Sequence, residues 1–396
     1  MENDSMIDDN PTSKESLLFI MREPFIDKLP GARVVAQFFA QQGLQVELLV
    51  AVDNTYLRPS FITKNINLTA VLDRSCNPTT PFPTSVRMLW QGIKLSFSKK
   101  PLFYVGIGLY GMFVAFLLSK LFFRPFMIFC CELPEPRHRP GGLTLLQRLE
   151  HVAYRHADHV IIQDAARGAF IAQNCQTDAD KFLALPNSPE GKSSLEKSRF
   201  LQEKLQIGSD KETILLHSGG FGAWFQCREI IAAAAHFPPS WQLVFHTSYR
   251  IQGEDYFQSI LKEGVPENVL FSIEPLPATQ LDALISSSHI GLAFYSLERL
   301  GHRGELMGLA SGKIAHFLKC GIPVIATDIP SIRAYVEPYG CGICVASPAD
   351  IPEAVKTIRA DYSTYQKNAI RCFDAVWHSD LYLDPIRQAV QTYRQQ

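Results

Sequence analysis

A chain of 396 residues, 46% hydrophobic and 19% charged, can fill large cores and does not resemble a disordered chain. Its 38 Lys and Arg against 39 Asp and Glu exclude the strongly basic surface that a nucleic-acid binder needs. The nine Cys are scattered and odd in number, and residues 1–16 are polar with no apolar leader segment, so a reducing, cytoplasmic setting is expected.

Residues 1–15 read as a disordered start. A strand is predicted over 17–21, an amphipathic helix over 32–42 and a second strand over 46–52. Gly31 opens that helix and Gly43 closes it, Gly being the favoured residue just past a helix end. This β-loop-α-β order begins a doubly wound sheet. Residues 53–100 are less regular, with two Pro-containing turns and an amphipathic stretch over 86–97. Residues 102–119 carry no charge and are long enough to raise a membrane span. Gly106, Gly108 and Gly111 interrupt the run, and it parses as strand 102–105, helix 110–123 and strand 126–131. Fully buried parallel strands read as such apolar runs. A helix over 143–156, a strand over 159–163, a helix over 165–174 and a short strand over 182–185 follow.

The charged segment 190–210 is the linker candidate. A second β/α series starts after it. Strands are predicted over 213–217, 241–246, 269–273, 290–294 and 323–326, with helices over 228–236, 281–287 and 313–319. The expected domains are therefore 16–190, a linker over 191–210 and a second domain over 211–375. A C-terminal helix over 376–396 is free to pack back on the first domain.

Three places could carry chemistry. Gly219, Gly220 and Gly222 make a turn between a strand and a helix. Such a turn lets backbone N–H groups approach a pyrophosphate, and it also serves as an ordinary tight connection. Ser311 and Gly312 open a helix with Lys313 in its first turn and His316 one turn on. Free N–H groups beside a Lys make an anion site, although Ser as a cap and Lys as a solvated surface residue explain the same letters. Glu132 and Glu135 lie just past the carboxyl end of a strand, the edge where open α/β sheets bind ligands, and they read equally as solvated loop carboxylates. No second CxxC accompanies Cys341 and Cys344, so a zinc site is not expected there.

In order along the chain, several segments resemble the retaining family-four glycosyltransferases, the glycogen-synthase-like group. Ser311-Gly-Lys-Ile-Ala-His-Phe-Leu-Lys-Cys-Gly-Ile-Pro-Val-Ile-Ala-Thr327 is similar to that family's S-x-K-x-x-E-[YF]-L-x-x-G-x-P-V-I-A. Tyr339-Gly-Cys-Gly-Ile-Cys-Val345, Leu185-Pro-Asn-Ser188, Glu150 through Ile161 and Arg33 through Val46 match further family patterns. The resemblance implies a GT-B fold, α/β, with two Rossmann-like doubly wound domains facing a cleft. It implies transfer of a sugar from a nucleotide diphosphate sugar to a glycan or lipid-linked acceptor, in polysaccharide or glycoconjugate synthesis. It implies a retaining outcome and no cofactor or metal.

By that resemblance Gly219, Gly220, Ser311, Gly312, Lys313 and His316 hold the donor, His316 at the ribose-binding position. Lys313 and Glu132 are the catalytic candidates. Glu135 and Arg33 face the acceptor. An apolar N-terminal region suits a lipid-linked acceptor and a peripheral contact with the inner face of a membrane. The chain also departs from the family. The paired-Glu positions hold Gly308 and His316, and Phe221 and Gln226 replace the Arg and Lys of the diphosphate clamp. A non-catalytic GT-B subunit or a GT-B nucleotide-sugar epimerase are the alternatives.

Overall fold

The computed structural model describes residues 15–23, 26, 29–52, 61–72 and 82–394. The first sheet contains β1 (Ser16–Met21), β2 (Gln45–Val52), β3 (Ile66–Leu72), β4 (Tyr104–Ile107), β5 (Phe126–Phe129), β6 (His159–Ile162) and β7 (Phe182–Ala184). Its helices are α1 (Pro30–Gln41), α2 (Phe82–Lys99), α3 (Gly108–Phe122), α4 (Leu145–His156) and α5 (Ala165–Cys175). The strand order is β3-β2-β1-β4-β5-β6-β7, and the pairs from β3 through β6 are parallel. All six residues of β1 are buried, as a central parallel strand requires.

The second sheet follows α6 (Phe200–Leu205). Its elements in chain order are β8 (Thr213–Gly219), α7 (Cys227–Ala234), β9 (Trp241–Thr247), α8 (Asp255–Glu263), β10 (Val269–Ser272), α9 (Ala278–Ser286) and β11 (Ile290–Ala293). Then come α10 (Leu297–Leu300), α11 (His302–Glu305), α12 (Gly312–Lys319), β12 (Val324–Thr327), α13 (Pro330–Tyr339), β13 (Gly342–Val345), α14 (Ile351–Ala360) and α15 (Tyr362–Cys372). The order β10-β9-β8-β11-β12-β13 is parallel throughout. Strand alternation feeds two cores: Ile214 and Leu216 join one, Leu215 the other.

The chain divides into two compact units, and the second includes Ile162–Phe170 and Ala184–Tyr382. Each is a Rossmann-like doubly wound sheet, and the fold is GT-B. A final helix, α16 (Leu383–Arg394), packs on the first unit, with Tyr393 and Phe103 rings 5.3 Å apart and Arg394 Nε 2.7 Å from Glu15.

The apolar stretch after residue 101 is β4-α3-β5. Its glycines are there for packing. A Cβ at Gly111 would collide with the Ile20 carbonyl oxygen, and one at Gly106 would lie 2.5 Å from Met112 Cα. Among the described residues no helix is long and apolar enough to cross a membrane. Two expectations need correction. The segment read as irregular contains β3, an edge strand whose polar Asn67 and Thr69 blur the apolar signal. The segment read as a linker contains α6, whose Leu201 is fully buried in a core of the second unit.

Candidate functional site

In the second unit the strand order reverses between β8 and β11, so a crevice opens outside their carboxyl ends. β8 delivers His217 to that edge, fully buried. The chain then turns at Gly219, whose φ of +121° is a conformation that L side chains rarely adopt. A Cβ there would sit 3.7 Å from Lys313 Cε. At Gly220 a Cβ would strike the Phe225 ring. The two glycines thus leave room for Lys313 and for Phe225.

α12 brings Lys313 in from the other side. Ser311 caps the helix, its Oγ accepting from Ile314 N–H at 3.3 Å. Tyr295, past the end of β11, fixes that cap through a 2.5 Å hydrogen bond to Ser311 Oγ. The N–H groups of Gly312 and Lys313 belong to the first turn, where no intrahelical partner exists. Lys313 Nζ lies 4.5 Å from the Phe225 ring centroid, 5.5 Å from that of Tyr295 and 3.3 Å from His217 Nε2. Among the described residues no carboxylate pairs with it.

Burial lowers the Lys313 ammonium to about 7. Burial, then the Lys313 charge, pushes His217 well below its ordinary range, so its imidazole is neutral. His217 Nε2 also faces the Gly220 carbonyl oxygen at 2.9 Å, while Nδ1 has no partner among the described residues. If Nε2 carries the proton it donates to that carbonyl; the other tautomer accepts from Lys313. Neither neutralises a lysine. A cation at a helix N-terminus also opposes the helix dipole. Each unfavourable feature is reversed by an anion.

The positions that the resemblance aligns with a diphosphate clamp do other work here. Phe221 is 7% exposed, in edge-on contact with Phe245, Phe257, Phe271 and Tyr256. Gln226 donates through Nε2 to the Tyr295 carbonyl oxygen at 3.3 Å. Gly308 has no room for a longer side chain, since a Cβ would come within 2.8 Å of the Ser331 carbonyl oxygen.

His316 does not point with Lys313. Its Nε2 is 2.7 Å from Asp282 Oδ1, and Lys319 Nζ is 2.6 Å from Asp282 Oδ2. Burial works against the Asp282 charge, but hydrogen bonds from His316 and Lys319 outweigh it and hold the carboxyl down at about 2. Asp282, His316 and Cys320 have potential metal-ligand atoms within 4.8 Å of one another. Lys319 already occupies the carboxylate, however, and burial pushes the Cys320 thiol up to about 12. The three form a closed polar network.

The first unit holds the remaining candidates. Glu132 is exposed and without an ion-pair partner among the described residues. Glu135 is half-buried, 3.6 Å from Arg139, and its carbonyl oxygen faces His151 Nε2 at 2.9 Å. Arg33 is half-buried on α1. Sequence reasoning missed Glu23, just past β1 at this sheet's own reversal point, where burial raises its carboxyl. It also missed His217 and Tyr295. All three lie within two residues of a strand end, the one signal that was available.

Residues 275–381 match the family described as Glucosyltransferase 3-like, C-terminal domain. No curated protein matches the chain in sequence. Among solved structures, sucrose-phosphate synthase (tll1590) from Thermosynechococcus elongatus superposes with a TM-score of 0.71 at 16% identity, covering 96% of this chain and 99% of that one. Anabaena Alr3699/HepE, solved with UDP and glucose, gives 0.71 at 13% identity, covering 96% and 100%. WaaG, a glycosyltransferase involved in lipopolysaccharide biosynthesis, gives 0.63 at 16% identity, covering 94% and 98%. At such identities the likeness speaks for the fold.

Proposed function

We propose that this protein is a glycosyltransferase that takes a sugar from a nucleotide diphosphate sugar bound at the second unit's reversal point. The observation that carries the reading is Lys313. It is half-buried, set against a helix dipole and, among the described residues, without a carboxylate partner, which suits a site that waits for an anion. The diphosphate would lie over the N-terminus of α12, with Gly219 and Gly220 close by; the space beside Gly312 is taken by Asn187, and Ser311 is held by Tyr295. HepE, of the same fold, was solved with UDP and glucose, which supports a uridine nucleotide as the first to try.

In transfer the bond between the sugar's anomeric carbon and the diphosphate oxygen breaks, and negative charge grows on the departing oxygen. Lys313 and the N-terminal N–H groups of α12 are aimed at that charge, so they stabilise the transition state more than the ground state. Tyr295 holds Ser311 and so the helix start. The reading asks for no cofactor or metal and follows a retaining course. The acceptor is a glycan or a lipid-linked sugar met by the first unit, where Glu132, Glu135 and Arg33 are the acceptor-side candidates. His316 would have to leave Asp282 to reach a ribose.

The test is turnover of UDP- and GDP-sugars with and without an exogenous acceptor. Transfer that requires an acceptor supports the reading. Inversion at a sugar carbon without an acceptor would make the protein an epimerase. Nucleotide binding with no turnover of any donor would leave a non-catalytic subunit, a reading that the blocked Gly308 position favours.

A further inference from the structure

Between Asp73 and Glu132 the sequence has no Asp or Glu and seven Lys or Arg, in a chain whose net charge is −1. This stretch builds α2 and α3. The helices lie side by side and run parallel. Gly92 faces Leu118, where a Cβ would come within 2.6 Å of Cδ1, and about one turn further on the Phe97 and Phe122 rings meet at 5.1 Å.

Their outer face is apolar and open. Val86, Trp90 and Phe97 recur on one side of α2 at helical spacing, and Leu117 and Leu121 do so on α3. Trp90 is 61% exposed, Phe97 71% and Phe123 92%. Phe123 ends α3 in the left-handed region, with φ 52°, where a bulky residue is strained. Lys94 Nζ stands 5.5 Å over the Trp90 ring, Lys120 Nζ 5.5 Å over Phe116, and Lys100 and Arg124 are exposed beside them. Large apolar side chains beside cations, on two helices that carry no acidic residue, are the pattern of a helix face that lies in a lipid interface. A second copy docked through the same face would set these cations against their own kind.

We propose that the outer face of α2 and α3 docks on an anionic lipid bilayer. Trp90, Phe97 and Phe123 enter the headgroup region, and Lys94, Lys100, Lys120 and Arg124 meet the anionic headgroups. The helices lie on the bilayer, which agrees with the absence of a membrane-crossing helix among the described residues. This goes beyond the transferase reading and does not depend on it.

The experiment is co-sedimentation of the full chain with vesicles of phosphatidylcholine alone and of phosphatidylcholine mixed with phosphatidylglycerol. The protein is expected to bind the mixed vesicles, less so as salt is raised, and Trp90 emission should shift to the blue. The triple variant Trp90→Ser, Phe97→Ser, Phe123→Ser should weaken partitioning by roughly 100-fold. The variant Lys94→Glu, Lys120→Glu, Arg124→Glu should weaken it at least about tenfold. All six side chains are exposed, so melting temperatures should stay near that of the parent. No binding to mixed vesicles would overturn the proposal, as would variants that bind like the parent. A dimer in sedimentation that the Ser variant dissolves, with no vesicle binding by the parent, would make the face a protein interface instead.

Discussion

The two units repeat one architecture and charge it oppositely at the same place. At the reversal point of the first sheet, α3 begins at Gly108 beside the Glu23 carboxylate, where a Cβ on Gly108 would lie 3.3 Å from Glu23 Oε2. A helix N-terminus with its own carboxylate is already satisfied. At the reversal point of the second sheet, α12 begins beside Lys313, and positive charge is added to positive. One crevice carries a carboxyl group of its own; beside Lys313 there is none among the described residues, and that is where an anion is proposed. The comparison teaches that a fold supplies a crevice, while the sign of one side chain decides what it can hold.

Phe221→Arg would break the comparison from the second unit, by restoring the family's clamp cation. Phe221 belongs to an aromatic cluster, so burying a charge there should cost about 3–5 kcal/mol. Chemical denaturation should show that loss, and undiminished stability would mean that the position is free to carry a clamp. The second effect is on pH. Lys313 loses its proton near pH 7 in the free protein and must be charged to hold a diphosphate. Affinity for UDP should therefore fall roughly tenfold per pH unit between pH 7.5 and 9, until the bound-state value is reached. A flat profile would show that Lys313 does not meet the anion.

Lys313 also bears on stability in its own right. Its folded value lies below the unfolded 10.5, so the unfolded chain binds more protons between about 7 and 10.5. Stability without ligand should rise with pH across that window, as thermal melts of the parent and Lys313→Met would show; equal slopes would contradict it. The smallest effect is expected in the first unit. Burial raises the Glu23 carboxyl, so ionising it costs stability once pH passes the unfolded value. Glu23→Gln should raise the melting temperature slightly at neutral pH and leave UDP affinity unchanged. A loss of UDP affinity would show that the two crevices are not independent.

Much of this was legible in the letters because parallel strands declare themselves. The runs at β1, β4, β5, β8 and β12 are short, apolar and separated by glycine or proline, and each was placed within a few residues. β3 was missed because an edge strand alternates, and α6 because its charges hide one buried leucine. The Ser311 cap and the place of Lys313 in the first turn of α12 were legible from the order of the residues. The direction of His316 was not, since its Asp282 partner lies on α9, 34 residues away in sequence. Neither was the cage of His217, Phe225 and Tyr295, which only folding brings around Lys313. Phe221 looked like a missing cation and proves to be a core residue.

The central claim is that Lys313 holds a nucleotide diphosphate at the second unit. Calorimetric titration of UDP and GDP into the full-length protein at pH 7, beside Lys313→Ala and Lys313→Met, tests it most directly. Charge-assisted contacts are worth about 1.5–3 kcal/mol, so both variants should bind roughly 10- to 100-fold more weakly, with UMP affected less. Met keeps the stem of the side chain and should behave as Ala does. Variants that fold normally and bind either nucleotide as tightly as the parent would contradict the account.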